Sequence, residues 1–315
     1  MRLLAIVDPP ELLRPTSDTT VAILDAALRR GHEAAVCELH ELWLHGDEPG
    51  ADVRWVQAVN RQQRPALHLQ QEREPHALAH FGVVLMRKDP PYDAAYHHST
   101  QILERARGRT LLINDPRGLR EANEKLYIFH FPELLVPTIV TSDIARLRRF
   151  LEEQGGQMVI KPLDGFGGAG VFYLHADDRN LNVILETSTN QGRRLVMAQR
   201  YLPEGLKGDK RILLLDGQPI GALLRVPAGR DIRGNLHIGG TGHRTELSDR
   251  ERTICARLAP RLRQDGLHFV GIDVIDGYLT EINVTSPTGV QAIDALYGIR
   301  LEDQIMDWLE AHSIE

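Results

Sequence analysis

The 315-residue chain has two cysteines, Cys37 and Cys255. They lie far apart and in no Cys-x-x-Cys pair, which excludes a disulfide framework and a zinc knuckle and fits a reducing cytoplasm. Long apolar runs are missing as well. No uncharged stretch approaches the ~20 residues that cross a bilayer, and Met1 to Pro10 turns acidic and prolyl too soon for a secretory signal, so it reads as a first strand. Positive charge is not in excess: 37 Lys+Arg against 43 Asp+Glu leave a formal charge of −6, which argues against a sequence-independent grip on nucleic acid or anionic membrane. No Gly-x-Ser-x-Gly elbow occurs, and both cysteines read as packing residues, Cys37 in an apolar strand and Cys255 on a helix. Adjacent His97 and His98 point to different sides of any helix, which argues against a metal site built from them alone. There is no internal repeat.

What remains is a chain with 42% hydrophobic residues and length for two or three packed units. Residues 1–120 alternate short apolar runs with helical periodicity, as an α/β layer does. Strands are expected at Leu3–Val7, Ala34–Leu39, Val83–Met86 and Thr110–Asn114, and helices from Asp18 to Arg30 and from Asp93 to about Arg107. The stretch 41–80 is poorly periodic, and all that is expected of it is that it includes a surface excursion. A second unit starts near 120 with a helix through Asn123–Leu126, a strand at Thr138–Val140 and a helix capped by Ser142 or Asp143. A hairpin of Gln157–Lys161 with Val171–His175, a helix at 181–187 and a strand at Leu195–Gln199 follow. Beyond 200, Asp216-Gly217 and Asp276-Gly277 each join two apolar strands, a two-residue hairpin signal. Helices at about 248–264 and 301–312 complete an α+β unit.

The 27 glycines bunch at 165–170 and 229–242. In the first bunch, Gly165, Gly167 and Gly168 let backbone N–H groups approach phosphate oxygens, and Lys161 just before them adds a point charge. The run lacks the spacing and trailing Lys-Ser/Thr of a P-loop and leads into a strand, so a glycine-rich hairpin without a ligand is the alternative. Asp273, Glu281 and Asn283 stand on two strands joined by Asp276-Gly277; the last two share a face, with Asp273 across the hairpin. Two carboxylates and an amide oxygen make a half-filled oxygen shell suited to Mg²⁺, and the apolar neighbours Val270, Ile272, Val274 and Ile282 imply burial that needs compensation. The alternative is a solvated polar face. Asp209 and Arg211, at the start of an apolar strand, can take ribose hydroxyls and phosphate or carboxylate, or else form an exposed charged turn. Residues 226–244, with Arg225, Arg230, Arg233, His237 and Arg244 in or beside them, read as a mobile cationic cover or as a disordered insertion. Arg87, in Arg87-Lys88-Asp89-Pro90-Pro91, follows a buried strand at its carboxyl end, where open α/β sheets bind ligands. The alternative there is a rigid charged turn.

Together these segments resemble the bacterial glutathione synthetases, members of the ATP-grasp superfamily. The resemblance rests on Met86-Arg87-Lys88-Asp89-Pro90-Pro91, Asn114-Asp115-Pro116-Arg117-Gly118, Asn123-Glu124-Lys125-Leu126 and Lys161-Pro162-Leu163-Asp164-Gly165 through Gly168. It continues through Gly208-Asp209-Lys210-Arg211, Arg233-Gly234-Asn235-Leu236 and Leu279-Thr280-Glu281-Ile282-Asn283-Val284-Thr285-Ser286-Pro287-Thr288, in family order and over nearly the whole chain.

It implies an ATP-grasp fold: an N-terminal α/β, Rossmann-like substrate domain over 1–121, a central lid over 122–200 and a C-terminal α+β domain over 201–315 with a mobile loop at 226–244. Lys125 and Lys161 would contact ATP phosphates beneath the turn Gly165, Phe166, Gly167 and Gly168. Gln199, Tyr201 and Leu202 would line the adenine slot, and Asp209 would take the ribose. Asp273, Glu281 and Asn283 would hold Mg²⁺, with Mn²⁺ the alternative ion. Arg211, Arg225, Arg233, Asn283 and the turn Ser286, Pro287 and Thr288 would surround the reacting groups, while Arg87, Asn114 and Asp115 would hold the peptide. The implied reaction joins γ-glutamylcysteine and glycine into glutathione through an acyl phosphate, in a cytoplasmic protein that the resemblance makes a homotetramer or other homo-oligomer. Another ATP-grasp carboxylate–amine ligase and a non-catalytic ATP-binding module are the competing readings. The chain departs from the family around Pro9–Asp18, at Gly239-Gly240-Thr241-Gly242 where Gly-Gly-Arg-Gly is frequent, at His237 in place of a small residue, and at Gly289 in place of a cysteine.

Overall fold

The apolar run after Met1 forms the middle of a sheet in a computed structural model of the chain, which describes residues 1–229 and 231–314. Arg230, one of the cations expected in the glycine-rich cover, lies outside the described residues. The first sheet holds β1 (Arg2–Ile6), β2 (Glu33–Cys37), β3 (Leu42–His45), β4 (Glu48–Val59), β5 (Leu67–Leu69), β6 (Glu74–Ala77), β7 (Val83–Met86) and β8 (Leu111–Ile113). Its order is β3-β4-β2-β1-β7-β8, with β5 and β6 also paired to β4. β1, β2, β7 and β8 run parallel and are covered on both faces, which is why they read as continuous apolar runs. Helix α1 (Thr19–Arg29) follows β1, and α2 (Ala94–Glu104) follows β7; the Asp18 carboxylate accepts from Thr20 N–H at 2.8 Å and Asp93 from Tyr96 N–H at 2.9 Å. A short α3 (Pro116–Glu121), which periodicity over six residues does not disclose, follows β8.

Two expectations need correction here. Residues 41–80 are not a mere excursion, because β3 to β6 extend the sheet as antiparallel ribbons, in strands whose Pro49, Gly50 and Pro75 break the alternating pattern. Asn123–Leu126 is a turn rather than a helix, because the Asn123 side-chain oxygen accepts from the N–H groups of Lys125 (3.1 Å) and Leu126 (3.0 Å).

The second sheet is antiparallel, in the order β11-β10-β12-β9, from β9 (Thr138–Thr141), β10 (Gln157–Pro162), β11 (Phe172–His175) and β12 (Val196–Arg200). Helices α4 (Ile144–Glu153), capped by Asp143, and α5 (Leu181–Ser188) cover it. Leu147, Leu151, Met158, Ile160, Leu174, Leu185 and Val196 form a separate core between them, each buried side chain contributing roughly 1.5–3 kcal/mol.

The third sheet, in the order β15-β14-β13-β16-β17, is built from β13 (Asp209–Leu215), β14 (Gln218–Val226), β15 (Thr241–His243), β16 (Phe269–Ile275) and β17 (Tyr278–Asn283). Both hairpins turn on residues with positive φ, Asp216 and Gly217 at 47° and 73°, Asp276 and Gly277 at 50° and 73°, the geometry that Asp-Gly favours. Helices α6 (Asp249–Gln264), α7 (Val290–Tyr297) and α8 (Leu301–His312) pack around it. The second glycine-rich segment ends in a strand, since β15 pairs with the end of β14. The first and third sheets share an apolar cluster that runs from Leu4 and Met86 to Ile212, Ile272 and Ile282. Among the described residues no helix is long and apolar enough to cross a membrane.

Candidate active site

A cavity of about 730 Å³ opens where the three sheets meet. Arg87, Lys125, Lys161, Gly165, Phe166, Gly167, Gly168, Gln199, Tyr201, Leu202, Asp209, Arg211, Arg225, Arg233, Asp273, Glu281, Asn283, Ser286, Pro287 and Thr288 all line it. Asn114 and Asp115 do not.

Strand register explains the polar floor. Arg211 on β13 lies opposite Asp273 on β16, Asp273 lies opposite Glu281 on β17, and Asp209 lies opposite Arg225 on β14, so three acids and two arginines gather on neighbouring strands of the sheet. Arg211 holds Asp273 by two hydrogen bonds, Nε to Oδ1 at 2.6 Å and Nη2 to Oδ2 at 3.0 Å. Arg225 donates to both oxygens of Asp209 and reaches Asp273 Oδ1 at 3.0 Å. Burial opposes charge on Asp273, but Arg211 and then Arg225 outweigh it and hold its carboxyl well below the usual carboxylate range. Asn283 donates to Gly271 O at 3.2 Å and to Asp273 Oδ2 at 3.3 Å, leaving its amide oxygen to the cavity.

Two lysines bracket Glu281. Lys125 Nζ lies 3.0 Å from Glu281 Oε1 and also donates to Gly165 O, while Lys161 Nζ donates to Thr280 O at 3.2 Å. Burial pulls the Lys161 ammonium below its ordinary pKa, and Glu281 opposes that shift. Behind them sits Glu124, a half-buried carboxylate whose Oε1 accepts from Val284 N–H (3.0 Å), Thr285 N–H (3.2 Å) and the Thr285 hydroxyl (2.8 Å). Burial, and then the charge of Glu281, raise its pKa.

Gly167 and Gly168, at φ 61° and 80°, turn the first glycine loop over the lysines. The second glycine-rich segment touches it: Arg233 Nη1 donates to Gly168 O at 3.2 Å, and a Cβ on Gly167 would fall 2.8 Å from His237 Nε2. Asp231 orients Arg233 at 2.8 Å, and hydrogen bonds from that guanidinium bring the Asp231 carboxyl down to about 2. Arg244 lies away from the cavity, stacked over Tyr297 at 5.5 Å. At the far end Gln199 donates to Thr138 Oγ1 at 3.2 Å, and the Tyr201 ring packs on Tyr173 at 4.4 Å.

Asn114 serves the fold rather than the cavity. Its amide donates to Phe269 O (2.8 Å) and Val284 O (2.7 Å) and accepts from Phe269 N–H (2.8 Å), which uses it up in fastening β8 to the third sheet. Asp115 caps α3 through Arg117 N–H at 2.8 Å and pairs with Arg107 at 3.0 Å. Neither side chain is free to hold a peptide.

Profiles of the prokaryotic glutathione synthetase N-terminal domain and ATP-grasp domain match residues 1–120 and 124–298. The chain belongs to the prokaryotic glutathione synthetase family. It is 49% identical over 315 residues to the glutathione synthetase of Gloeobacter violaceus, covering 98% of this chain and 96% of that one. The glutathione synthetase of Synechococcus elongatus is 46% identical over 320 residues, covering 99% and 98%. The fold is the ATP-grasp fold: the structure of D-cycloserine synthetase DcsG superposes with a TM-score of 0.67 at 18% identity, covering 98% of this chain and all of that one. The ATP-grasp ligase PsnB with a precursor peptide and AMPPNP gives 0.62 at 17% identity, covering 98% and 97%. Glutathione synthetases of this family use ATP and a divalent metal.

The floor of the cavity fits such an ion. Among the described residues no group of three His, Cys, Asp or Glu side chains is placed to hold a metal. A cation here would take two carboxylates, Asp273 and Glu281, and the Asn283 amide oxygen, all hard oxygen donors, and draw its other ligands from phosphate and water. Glu124 is not conspicuous in the sequence, because its neighbour Lys125 carries the charge expected at phosphate. The signal was present, as an acid inside Asn123-Glu124-Lys125-Leu126 with no partner in the motif. Asp8, Arg14, Asp18 and Asp89 also line the cavity, from loops whose sequence diverges or reads as a turn.

Proposed function

We propose that this chain joins γ-glutamylcysteine to glycine, converting ATP to ADP and phosphate and releasing glutathione. The observation that carries the reading is the cluster Asp209, Arg225, Asp273, Arg211 beside Lys125, Lys161 and Glu281, all in one cavity under a glycine-rich turn. A carboxylate at neutral pH repels an amine, so the cysteinyl carboxylate first attacks the γ-phosphorus of ATP and ADP leaves. Lys125 and Lys161 would neutralise the transferring phosphoryl group while N–H groups of Gly165 to Gly168 cover it. Gln199, Tyr201 and Leu202 would bind adenine and Asp209 the ribose, with Arg225 turning from Asp209 toward the substrate. Asp273, Glu281 and Asn283 would hold Mg²⁺, or Mn²⁺ as the alternative ion, which when bound supplies positive charge at the phosphate oxygens.

The glycine amine then attacks the acyl phosphate carbonyl, and the tetrahedral adduct expels phosphate as the amine loses its proton. Arg211, Arg225, Arg233 and Asn283 surround that centre and would stabilise the oxyanion. Arg87 and the turn Ser286, Pro287 and Thr288 would hold the peptide. Arg233 and His237, from the loop 226–244, lean on the phosphate turn, and that loop would keep water from the acyl phosphate. We assign the substrate domain to 1–121, the lid to 122–200 and the C-terminal ATP-grasp domain to 201–315; the separate core of the middle sheet suits a unit that moves as a body. The working form is a cytoplasmic homo-oligomer, a homotetramer by family analogy.

Purified protein with ATP and Mg²⁺ is expected to release ADP only when γ-glutamylcysteine and glycine are both present. Equal ADP release with other acceptor amines would point to a different carboxylate–amine ligase, and ATP binding without turnover to a non-catalytic module.

A further inference from the structure

Away from the cavity, four segments meet at a pair of carboxyl groups, Asp294 on α7 and Glu302 on α8. The loop after β4 reaches across to them, and its Arg61 donates to Glu302 Oε1 at 2.6 Å and to Gln291 Oε1 at 3.4 Å. Gln291 in turn donates to Asp18 O, at the cap of α1, at 2.7 Å. Asp294 Oδ1 accepts the Leu301 N–H at 2.8 Å and so ties α7 to the start of α8.

The two carboxyl groups stand in hydrogen-bond contact with each other. Glu302 is fully buried, and the Asp294 side chain is 10% exposed. Each keeps one buried oxygen, Asp294 Oδ2 and Glu302 Oε2, that no donor among the described residues reaches. Arg61 comes no nearer to Asp294 Oδ2 than 3.9 Å. From α1, Arg29 lies 3.5 Å from Glu302 Oε1 but also serves Asp25 and Asp303, each at 3.2 Å, and Asp25 lies 3.6 Å from Arg61. Among the described residues no other cation lies within ion-pairing distance of either carboxyl, so two guanidinium groups face four acids. Two carboxylates in contact, each with a buried oxygen that lacks a donor, do not both stay ionised; one proton between them supplies the donor that both lack. Glu302 is the better placed to keep its charge, with Arg61 at 2.6 Å and the N–H groups of the first turn of α8 around it. The proton therefore sits on Asp294, and burial, followed by the contact with Glu302, pushes that carboxyl up to about 7.

We propose that Asp294 and Glu302 share one proton, and that this proton closes a pH-dependent joint holding α7 against α8 and the loop after β4. The joint bears on the cavity. α7 begins directly after Gly289, and Ser286, Pro287, Thr288 and Ala292 line the cavity wall there. When the proton leaves, two negative charges oppose each other between α7 and α8, and that wall loosens.

The test needs no turnover. Asp294→Asn keeps an oxygen for the Leu301 N–H and places an N–H donor where Oδ2 stands, so it mimics the protonated pair at every pH. The folded value lies above the unfolded value of about 4. The proton's contribution to stability is therefore complete below about pH 4 and is lost as pH rises to about 7. In denaturant titrations from pH 5 to pH 8, the unfolding constant of wild type, relative to that of Asp294→Asn, is expected to rise by up to about tenfold per pH unit and to level off above about pH 7. Glu302→Gln supplies the donor from the other side while its remaining oxygen still accepts from Arg61. Whatever its absolute stability, its unfolding constant relative to that of Asp294→Asn should not change with pH. Hydrogen exchange locates the effect: protection of α7 and the turn 286–289, corrected for intrinsic rates, is expected to fall at least about tenfold from pH 5 to pH 8 in wild type and no more than about threefold in either variant. A ratio of wild-type to Asp294→Asn unfolding constants that is independent of pH, or an equal fall in protection in all three proteins, would overturn the joint.

Discussion

Asp273 on β16 grips Arg211 on β13 with both carboxylate oxygens, directly across the strand pair and within the buried floor of the cavity. Arg225 reaches the same carboxylate from β14. One acid therefore orients two guanidinium groups, and both line the cavity.

Asp273→Asn removes the negative partner and leaves two buried cations without it, which is expected to cost about 3–5 kcal/mol of stability and to abolish turnover. Its pH dependence has a definite sign. Because the folded pKa lies below the unfolded value of about 4, the carboxylate's contribution is complete above that value and is lost as pH falls toward the folded one. The stability gap between wild type and Asp273→Asn, read from denaturant midpoints, should shrink on acidification below about pH 4 by roughly 1.4 kcal/mol per unit. A gap that stays constant from pH 7 to pH 3 would contradict the pairing.

Much of this site could be read from the chain because its residues sit at fixed offsets in regular strands. Glu281 and Asn283 alternate on β17, and the Asp276-Gly277 turn sets the register that puts Asp273 beside Glu281. What could not be read arises from contacts between units distant in sequence. Nothing local distinguishes Asn114, consumed by backbone groups 155 and 170 residues away, from an asparagine free to meet a ligand. Nothing local says that Glu124 will sit against Thr285 or that Asp89 will face the cleft while Asp115 turns away. The ribbons within 41–80 escaped for another reason: β5 and β6 have three and four residues, too few for a period to emerge.

Asn114→Ala tests its reassignment from substrate contact to fastener. Removing the amide leaves Phe269 N–H, Phe269 O and Val284 O buried without that partner, at about 1–3 kcal/mol for each group left unsatisfied. The expected outcome is a fall of several degrees or more in Tm with the KM for γ-glutamylcysteine unchanged in the folded fraction. A raised KM at unaltered Tm would return Asn114 to the substrate.

Gly167→Ala carries two separable penalties. The residue has φ 61°, which an L side chain adopts at a cost of about 1 kcal/mol, and its Cβ would meet His237 Nε2 at 2.8 Å. The variant is expected to raise the KM for ATP several-fold by pushing the two glycine-rich segments apart. Adding His237→Ala removes the clash but not the backbone strain, so the double variant should recover part of the affinity. No recovery would mean that strain alone is responsible and that the two segments do not depend on this contact.

Glu281→Gln keeps the shape of the side chain and removes the charge that both lysines face. Lys125 loses its 3.0 Å partner, and the proposed cation loses one of its two carboxylates. Adenine binding, proposed for Gln199, Tyr201 and Leu202 at the other end of the cavity, should change little. Expected is a loss of at least a hundredfold in kcat with ADP binding within a few-fold of wild type, measured by calorimetry in the presence of chelator. Wild-type protein stripped by chelator should fall to the same low rate and recover on adding Mg²⁺, while Glu281→Gln should need far more Mg²⁺ for any partial recovery. Near-normal rates at ordinary Mg²⁺ would remove Glu281 from the cation site and leave it only the task of holding Lys125.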